Sequence, residues 1–243
     1  MRSLRFAAAA AAAALFAASA MASPAAPVNG AEYTTIPSPQ PTQAVGKKIE
    51  VIEFFAYHCP ACNLMEPHVA DWVKKSANNV TFKRIPFPFQ GPTDPEAHLF
   101  ITLDAMGKSE EYQPKIFNAV HKERQRLMTD EAILEWVGKS GLDKAKFTEY
   151  WNSFGVLTKL RRLPQLAAAY KGVNGTPTFV VDGKYVTSPG DVGKANPSIP
   201  GSAVPAASNA TLDALVAMAM KEKGYTGAAA APAAAPAKKT ASK

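Results

Sequence analysis

The sequence contains only two cysteines, Cys59 and Cys62, and two residues separate them in the stretch EFFAYHCPAC. The pair stands at the end of an apolar run, and Pro60 follows the first cysteine directly. Three kinds of chemistry use two cysteines at this spacing: a structural disulfide, a zinc site and thiol–disulfide exchange.

The first two explanations fit poorly. A disulfide between these cysteines closes a very short loop, and in the chain-entropy model the stabilisation increases with the length of the loop. A zinc site would need His58 and His68 as further ligands. Because His58 is adjacent to Cys59, the four side chains suit a tetrahedral site badly. We therefore predict neither a metal nor a cofactor.

Thiol–disulfide exchange fits the surroundings of the pair. The apolar run predicts a strand buried on both faces, and Pro60 is favourable in the first turn of a following helix. Cys59 then lies at a helix N-terminus, where free N–H groups and a partial positive charge stabilise a thiolate by on the order of 1 kcal/mol. We predict that Cys59 is the exposed nucleophile and that Cys62, one turn later, is the more buried resolving cysteine.

An acid, Glu53, stands among apolar residues in the predicted strand. Burial raises the pKa of a carboxyl group, and such a group relays a proton near neutral pH. We predict that Glu53 exchanges a proton with Cys62 and that Lys83, on the next strand, is its charge partner. Glu66, four residues beyond Cys62, is interpreted as a solvated helix acid.

The order of predicted elements indicates one α/β domain with an insertion. Strands are predicted at 48–57 and 80–87, and Asp182-Gly183 marks the turn of a later β-hairpin. Helical patterns occupy about 75 residues between them. Among these, 147–154 is predicted as one continuous apolar helix face. Two independent domains would not divide the strands in this way.

The two ends of the chain differ from its middle. Residues 1–22 have two arginines, an alanine-rich apolar run and small residues at Ala20 and Ala22, which predicts a signal peptide cleaved near Ala22. Residues 23–46 are rich in proline and predict a flexible lead-in. Residues 225–243 predict a low-complexity Ala/Pro/Lys tail. No later segment is expected to span a membrane, so we predict an exported protein, in a compartment where disulfides persist.

The formal net charge is +7. Most basic residues are scattered through predicted helices beside acidic ones, and no nucleic-acid-binding motif accompanies them. We therefore predict a solvated basic surface and no nucleic-acid partner.

A second motif, Thr176-Pro177, stands just before the hairpin in TPTFVVDGKYV. On this dipeptide alone, an ordinary trans proline at the start of a strand is favoured. An X-Pro bond in a tight turn is sometimes cis. A cis bond here would leave the backbone of Thr176 free to pair with an extended peptide beside Cys59.

Taken together, the signal peptide, EFFAYHCPAC, the helical block and GTPTFVVDGKYV resemble the DsbA family of periplasmic thiol–disulfide oxidoreductases. The resemblance implies a thioredoxin fold, formed by 47–92 and 172–224, with an all-helical insertion at 93–171. It also implies that the protein takes electrons from newly exported proteins and passes them to a DsbB-like membrane quinone reductase. We expect a monomer.

The resemblance assigns roles to eight residues. The catalytic group consists of the attacking cysteine, the resolving cysteine, a cis-proline and the buried acid: Cys59, Cys62, Pro177 and Glu53. The substrate-binding group consists of Thr176, His58, Pro60 and Ala61.

Two positions depart from the common family pattern. Position 61 is usually histidine, which helps to stabilise the thiolate, and Ala61 does not. This implies a weaker oxidant, while His58 either compensates in part or contacts substrate. Thr176 stands where valine is common in the family, and threonine is frequent there in isomerases, so substrate release is expected to differ.

Two other functions stay open at this point. A disulfide isomerase or reductase would be kept reduced, but periplasmic isomerases usually carry an N-terminal dimerisation domain, which 23–46 is too short to supply. A chaperone-like module with a vestigial cysteine pair would bind peptides in an apolar groove, with Phe87 and Phe89 as candidates. Loss of activity on mutating both cysteines would distinguish an enzyme from such a module.

Overall fold

The computed structural model describes residues 23–225, so the predicted signal peptide and the predicted tail beyond Tyr225 lie outside the described residues. The strands are β1 (Tyr33–Thr35), β2 (Ile49–Phe55), β3 (Val80–Pro86), β4 (Thr178–Val181) and β5 (Tyr185–Thr187). The helices are α1 (Pro60–Ser76), α2 (Pro95–Ala105), α3 (Ser109–His121), α4 (Asp130–Val137), α5 (Lys144–Trp151), α6 (Phe154–Ala169), α7 (Pro189–Ala195) and α8 (Val204–Glu222).

The five strands form one mixed sheet in the order β1-β5-β4-β2-β3. β2 pairs in parallel with β3 and antiparallel with β4, so all seven of its residues are buried, as the continuous apolar run predicts. In this register Glu53 lies opposite Arg84 of β3 and Phe179 of β4. The centre of the sheet therefore places the acidic side chain of Glu53 directly beside the basic side chain of Arg84.

Helices cover both faces of the sheet. Val69 of α1 and Leu215 of α8 belong to the core on one face, while Tyr170, just after α6, packs on the other. The helices α2–α6 form their own core, which reaches the sheet through Phe55 and Tyr57 at the end of β2. The chain therefore has an α/β fold with a helical insertion between β3 and β4, as predicted.

The prediction of a flexible lead-in over 23–46 is wrong for the residues that form β1. This edge strand pairs antiparallel with β5, and the Thr187 hydroxyl donates to the backbone oxygen of Glu32 at 2.7 Å. Gly183, with a φ of 63°, lies so close to this segment that a Cβ there would overlap the carbonyl oxygen of Gln40. Three strand residues are too few to show a periodicity, so composition alone indicated an unstructured segment.

The predicted apolar helix face over 147–154 is also wrong in its continuity. α5 ends at Trp151, and Ser153 starts a new helix because its hydroxyl accepts a hydrogen bond from the backbone of Val156 at 3.3 Å. Phe154, the last residue of the predicted face, is consequently 83% exposed. A capping serine thus overrode the apolar spacing.

The prediction that no later segment is long and apolar enough to span a membrane is wrong by length and composition alone. In the described part of the chain, the helical stretch 201–222 is long and apolar enough to cross a membrane by composition. Its apolar residues are instead used in the core, where Leu212, Leu215 and Ala219 are fully buried. α8 therefore behaves as a core helix against the sheet.

Candidate active site

Cys59 lies where the chain leaves the sheet and enters α1. It is the N-cap residue of α1, and its Sγ accepts a hydrogen bond from the backbone N–H of Cys62 at 3.3 Å. Both cysteines are free thiols, and Cys59 is 8% exposed whereas Cys62 is 1% exposed. The sulfur of Cys59 is therefore the more accessible of the two.

The local hydrogen bonds separate the pKa values of the two thiols. A hydrogen bond from the Cys62 thiol, supported by the backbone N–H groups of Cys62 and Ala61, lowers the pKa of Cys59 to about 5, although burial opposes this shift. Burial, together with the neighbouring Cys59 sulfur, raises the pKa of Cys62 far above its usual range. At neutral pH the pair therefore consists of a Cys59 thiolate and a Cys62 thiol. The Cys62 thiol therefore acts together with the N–H groups of the helix N-terminus that the sequence predicts.

The Thr176-Pro177 peptide bond is cis, as the resemblance implies. Although 117 residues separate Thr176 from Cys59, the protonated Cys59 thiol donates to the carbonyl oxygen of Thr176 at 3.4 Å. Pro177 is buried, whereas Pro60 and Ala61 are exposed beside the sulfur. The fold thus brings both sequence motifs together at one edge of the sheet.

Glu53 is buried on β2, on the side of the sheet that α1 covers, and is 1% exposed. Burial raises the pKa of Glu53 to about 7, although the positive charge of Arg84 opposes the shift. Nε of Arg84 donates to Oε2 of Glu53 at 3.1 Å. The charge of Glu53 in turn contributes to the raised pKa of Cys62. The acid and the inner thiol are therefore electrostatically linked.

The predicted charge partner of Glu53 is wrong. Lys83 instead contacts Oε2 of Glu50 at 2.6 Å. Successive strand residues point to opposite faces, so Lys83 and Arg84 cannot both reach Glu53. The parallel pairing of β2 with β3 places Arg84 opposite Glu53, and this pairing identifies Arg84 as the charge partner.

The interpretation of Glu66 as a solvated acid is wrong too. Its side chain is 13% exposed and accepts hydrogen bonds from Arg84 at 3.2 and 3.3 Å. Residues four apart on a helix share a face, so Glu66 follows Cys62 toward the sheet. Glu110 of α3, which the sequence argument did not identify, also accepts from Arg84 at 2.7 Å and reaches solvent.

His58 lies half-buried at the rim of the site. Its Nδ1 lies 2.7 Å from Oε2 of Glu96, a buried residue in the first turn of α2, and its ring contacts Phe89 edge-on. The hydrogen bond to Glu96 raises the pKa of His58 above its ordinary value. Glu96 was missed because 38 residues separate it from His58 and no motif connects them.

Within residues 23–225, no three His, Cys, Asp or Glu side chains are grouped so that they could hold a metal ion. The groups with redox chemistry at this site are the two thiols.

Comparison with known proteins agrees with this geometry. A model of the DSBA-like thioredoxin domain family matches residues 93–193. A thiol:disulfide interchange protein DsbA from Burkholderia cepacia is 43% identical over 189 residues, which cover 78% of this chain and 87% of that protein. The DsbA of Pseudomonas aeruginosa strain PAO1 is 38% identical over 164 residues, covering 68% and 77%.

A crystal structure of Pseudomonas aeruginosa DsbA superimposes with a TM-score of 0.70 at 33% identity. The superposition covers 80% of this chain and 95% of that one. The chain therefore belongs to the DsbA family of thiol:disulfide interchange proteins, and it is a thiol:disulfide oxidoreductase.

Proposed function

We propose that the protein is a periplasmic dithiol oxidase that donates a Cys59–Cys62 disulfide to newly exported proteins. The observation that carries this proposal is the pairing of a low-pKa Cys59 with a buried, high-pKa Cys62. Stabilising one thiolate favours the reduced form of the pair, which makes its disulfide a strong oxidant.

In the first step, a thiolate of the substrate attacks the sulfur of Cys59. The Cys59–Cys62 bond breaks, a mixed disulfide with Cys59 forms, and Cys62 leaves with the electron pair. Because the pKa of Cys62 is raised by burial, its sulfur must take up a proton. Glu53 supplies this proton in our proposal, since its own pKa of about 7 lets it hold one near neutral pH.

In the second step, a second thiolate of the substrate attacks the substrate sulfur that is bonded to Cys59. The substrate disulfide forms and Cys59 leaves as a thiolate. A thiol of lower pKa leaves faster, so the lowered pKa of Cys59 accelerates this release. The substrate has lost two electrons, which the two cysteines of the protein now hold.

The surface around Cys59 suits an extended peptide. Pro60 and Ala61 are exposed beside the sulfur, and Leu64 and Phe89 are 65% and 49% exposed. We propose that Thr176 pairs with the substrate backbone and that His58, Pro60 and Ala61 contact its side chains. Exposed apolar groups of this kind fit the unfolded segments of newly exported proteins.

We also propose how the cycle closes. The Cys59 thiolate would attack a disulfide of a DsbB-like membrane quinone reductase, and Cys62 would then release the partner by attacking Cys59. Glu53 accepts the proton that Cys62 loses in this direction. The protein would act as a monomer in the periplasm after cleavage of the signal peptide.

The experiment mixes the oxidised protein with an equimolar peptide that has two cysteines. We expect the wild type to convert this peptide to its disulfide form. Glu53→Gln should slow the reaction by on the order of tenfold or more, because no acid then delivers a proton to Cys62. The part of the rate that depends on Glu53 should be lost as the pH rises through about 7, where the carboxyl group loses its proton.

Glu110→Gln is the matched control. Glu110 also contacts Arg84, but its side chain is exposed to solvent. We therefore expect Glu110→Gln to oxidise the peptide at a rate within about twofold of the wild type. Rearrangement of a scrambled disulfide substrate without net oxidation of the peptide would instead favour an isomerase.

A further inference from the structure

A single carboxylate oxygen binds His58 twice. Oε2 of Glu96 lies 2.7 Å from Nδ1 of His58 and accepts the backbone N–H of the same residue at 3.2 Å. A carboxylate only accepts hydrogen bonds, so Nδ1 of His58 carries a proton and donates a hydrogen bond to Glu96. The two contacts fix the ring beside Cys59.

The burial of Glu96 favours a charged His58. The Glu96 side chain is 6% exposed, and its Oε1 has no hydrogen-bond partner within residues 23–225. A buried carboxylate is destabilising when its cationic partner is lost. Because His58 contributes that partner, the pair is most stable when the imidazole ring is protonated.

The charged groups that act on His58 are few. The hydrogen bond to Glu96 raises the pKa of His58 most, and the charges of Asp94 and of the Cys59 thiolate also raise it, whereas partial burial lowers it. His121 of α3 also lies at this segment, with its Nε2 2.7 Å from the backbone oxygen of Tyr57.

We propose that Glu96 is a positioning residue of the redox site, which keeps His58 as an imidazolium at neutral pH so that its positive charge stabilises the Cys59 thiolate. This inference rests on the proposed function, because Cys59 is the leaving group of that reaction. Ala61 provides no charge, so His58 is the residue beside Cys59 that can. A histidine without a partner loses its proton near pH 6.5, and a site that relied on it would become less oxidising above that pH.

The test is the equilibrium with glutathione, in which two glutathione thiols pass two electrons to the Cys59–Cys62 disulfide. One of their protons goes to Cys62, and the other goes to solvent where Cys59 remains a thiolate. The equilibrium is measured at about pH 5.5 and about pH 7.5, on either side of the ordinary histidine pKa. We expect Glu96→Gln to match the wild type at the lower pH, where His58 is protonated without help. At the higher pH it should be about threefold less oxidising, and the His58 pKa, followed by NMR, should fall because the hydrogen bond that raises it is weakened.

Two further variants decide the interpretation. Glu131→Gln removes an exposed glutamate from the first turn of α4 and should change neither measurement. His58→Lys keeps a positive charge without needing a carboxylate. When it is added to Glu96→Gln, it should restore the wild-type equilibrium at the higher pH.

Three results would overturn the inference while leaving the proposed function intact. They are an unchanged equilibrium for Glu96→Gln at both pH values, an equal loss at both, and a failure of His58→Lys to rescue it. Each would assign Glu96 a role other than holding the imidazolium. If the wild type does not oxidise the two-cysteine peptide at either pH, the proposed function and this inference fall together.

Discussion

Cys59→Ser is expected to abolish peptide oxidation, with a loss of at least about a thousandfold, whereas Cys62→Ser should trap covalent intermediates. Cys59 is the accessible sulfur, and its lowered pKa makes it a thiolate at neutral pH. Cys62 is 1% exposed, and its raised pKa keeps it protonated. The two cysteines therefore have different reactivities although they are close in sequence.

The difference is measured by incubating each reduced variant with oxidised glutathione and recording its mass. Cys62→Ser should form a mixed disulfide at Cys59 that persists, because the thiol that would resolve it is missing. Cys59→Ser should remain unmodified, because its remaining thiol is buried. Equal modification of the two variants would contradict the assigned roles, and a wild type that binds the peptide without oxidising it would favour a binding module.

Arg84→Met is expected to destabilise the protein by about 3–5 kcal/mol at a pH above 7, because it leaves buried carboxylates without their cation. The Arg84 side chain is 2% exposed, and its guanidinium donates to Glu53, Glu66 and Glu110. Methionine fills similar space but provides no charge. Glu53 is 1% exposed, so its charge cannot be solvated instead.

The loss of stability in Arg84→Met should be larger at high pH than at low pH. The pKa of Glu53 is higher in the folded protein than in the unfolded chain. Its contribution to stability is therefore fully present below the unfolded-state pKa and is lost as the pH rises through the folded-state pKa. Without Arg84 to oppose burial, the folded pKa rises further. Arg84→Met should therefore become less destabilising as the pH falls below about 7, where the Glu53 carboxyl group is protonated in both folded proteins.

Urea unfolding of the reduced protein at several pH values measures this effect. Lys139→Met is the matched control, since Lys139 forms an equally short ion pair with Glu135 at 2.6 Å, but on the surface. We expect it to cost less than about 1 kcal/mol. If the urea midpoint of Arg84→Met equals that of the wild type at high pH, Arg84 does not stabilise ionised Glu53 and Glu66.

The fold and the cysteine pair were readable because they leave strong local signals. A near-continuous apolar run identifies β2. Pro60 identifies the start of α1, and the spacing of the cysteines excludes most other chemistry. The cis bond at Pro177 leaves no such signal, since X-Pro sequences are usually trans. It followed only from the family resemblance.

The parts of the site that the sequence did not reveal depend on contacts between distant residues. Arg84 reaches Glu53 through the register of two strands, and Glu96 reaches His58 across the junction between the sheet and the helical insertion. β1 pairs with a strand near the other end of the chain. Neither composition nor periodicity reports such pairings, which are set by tertiary packing.

The ultraviolet absorbance of the thiolate, recorded against pH in the reduced protein, tests the central claim most directly. We expect a transition at a pKa of about 5 that disappears in Cys59→Ser. In Cys62→Ala the transition should move to higher pH, because the side-chain hydrogen bond that lowers the pKa of Cys59 most is gone. A transition in the wild type near about 8.5, the value of an ordinary cysteine, would contradict the account.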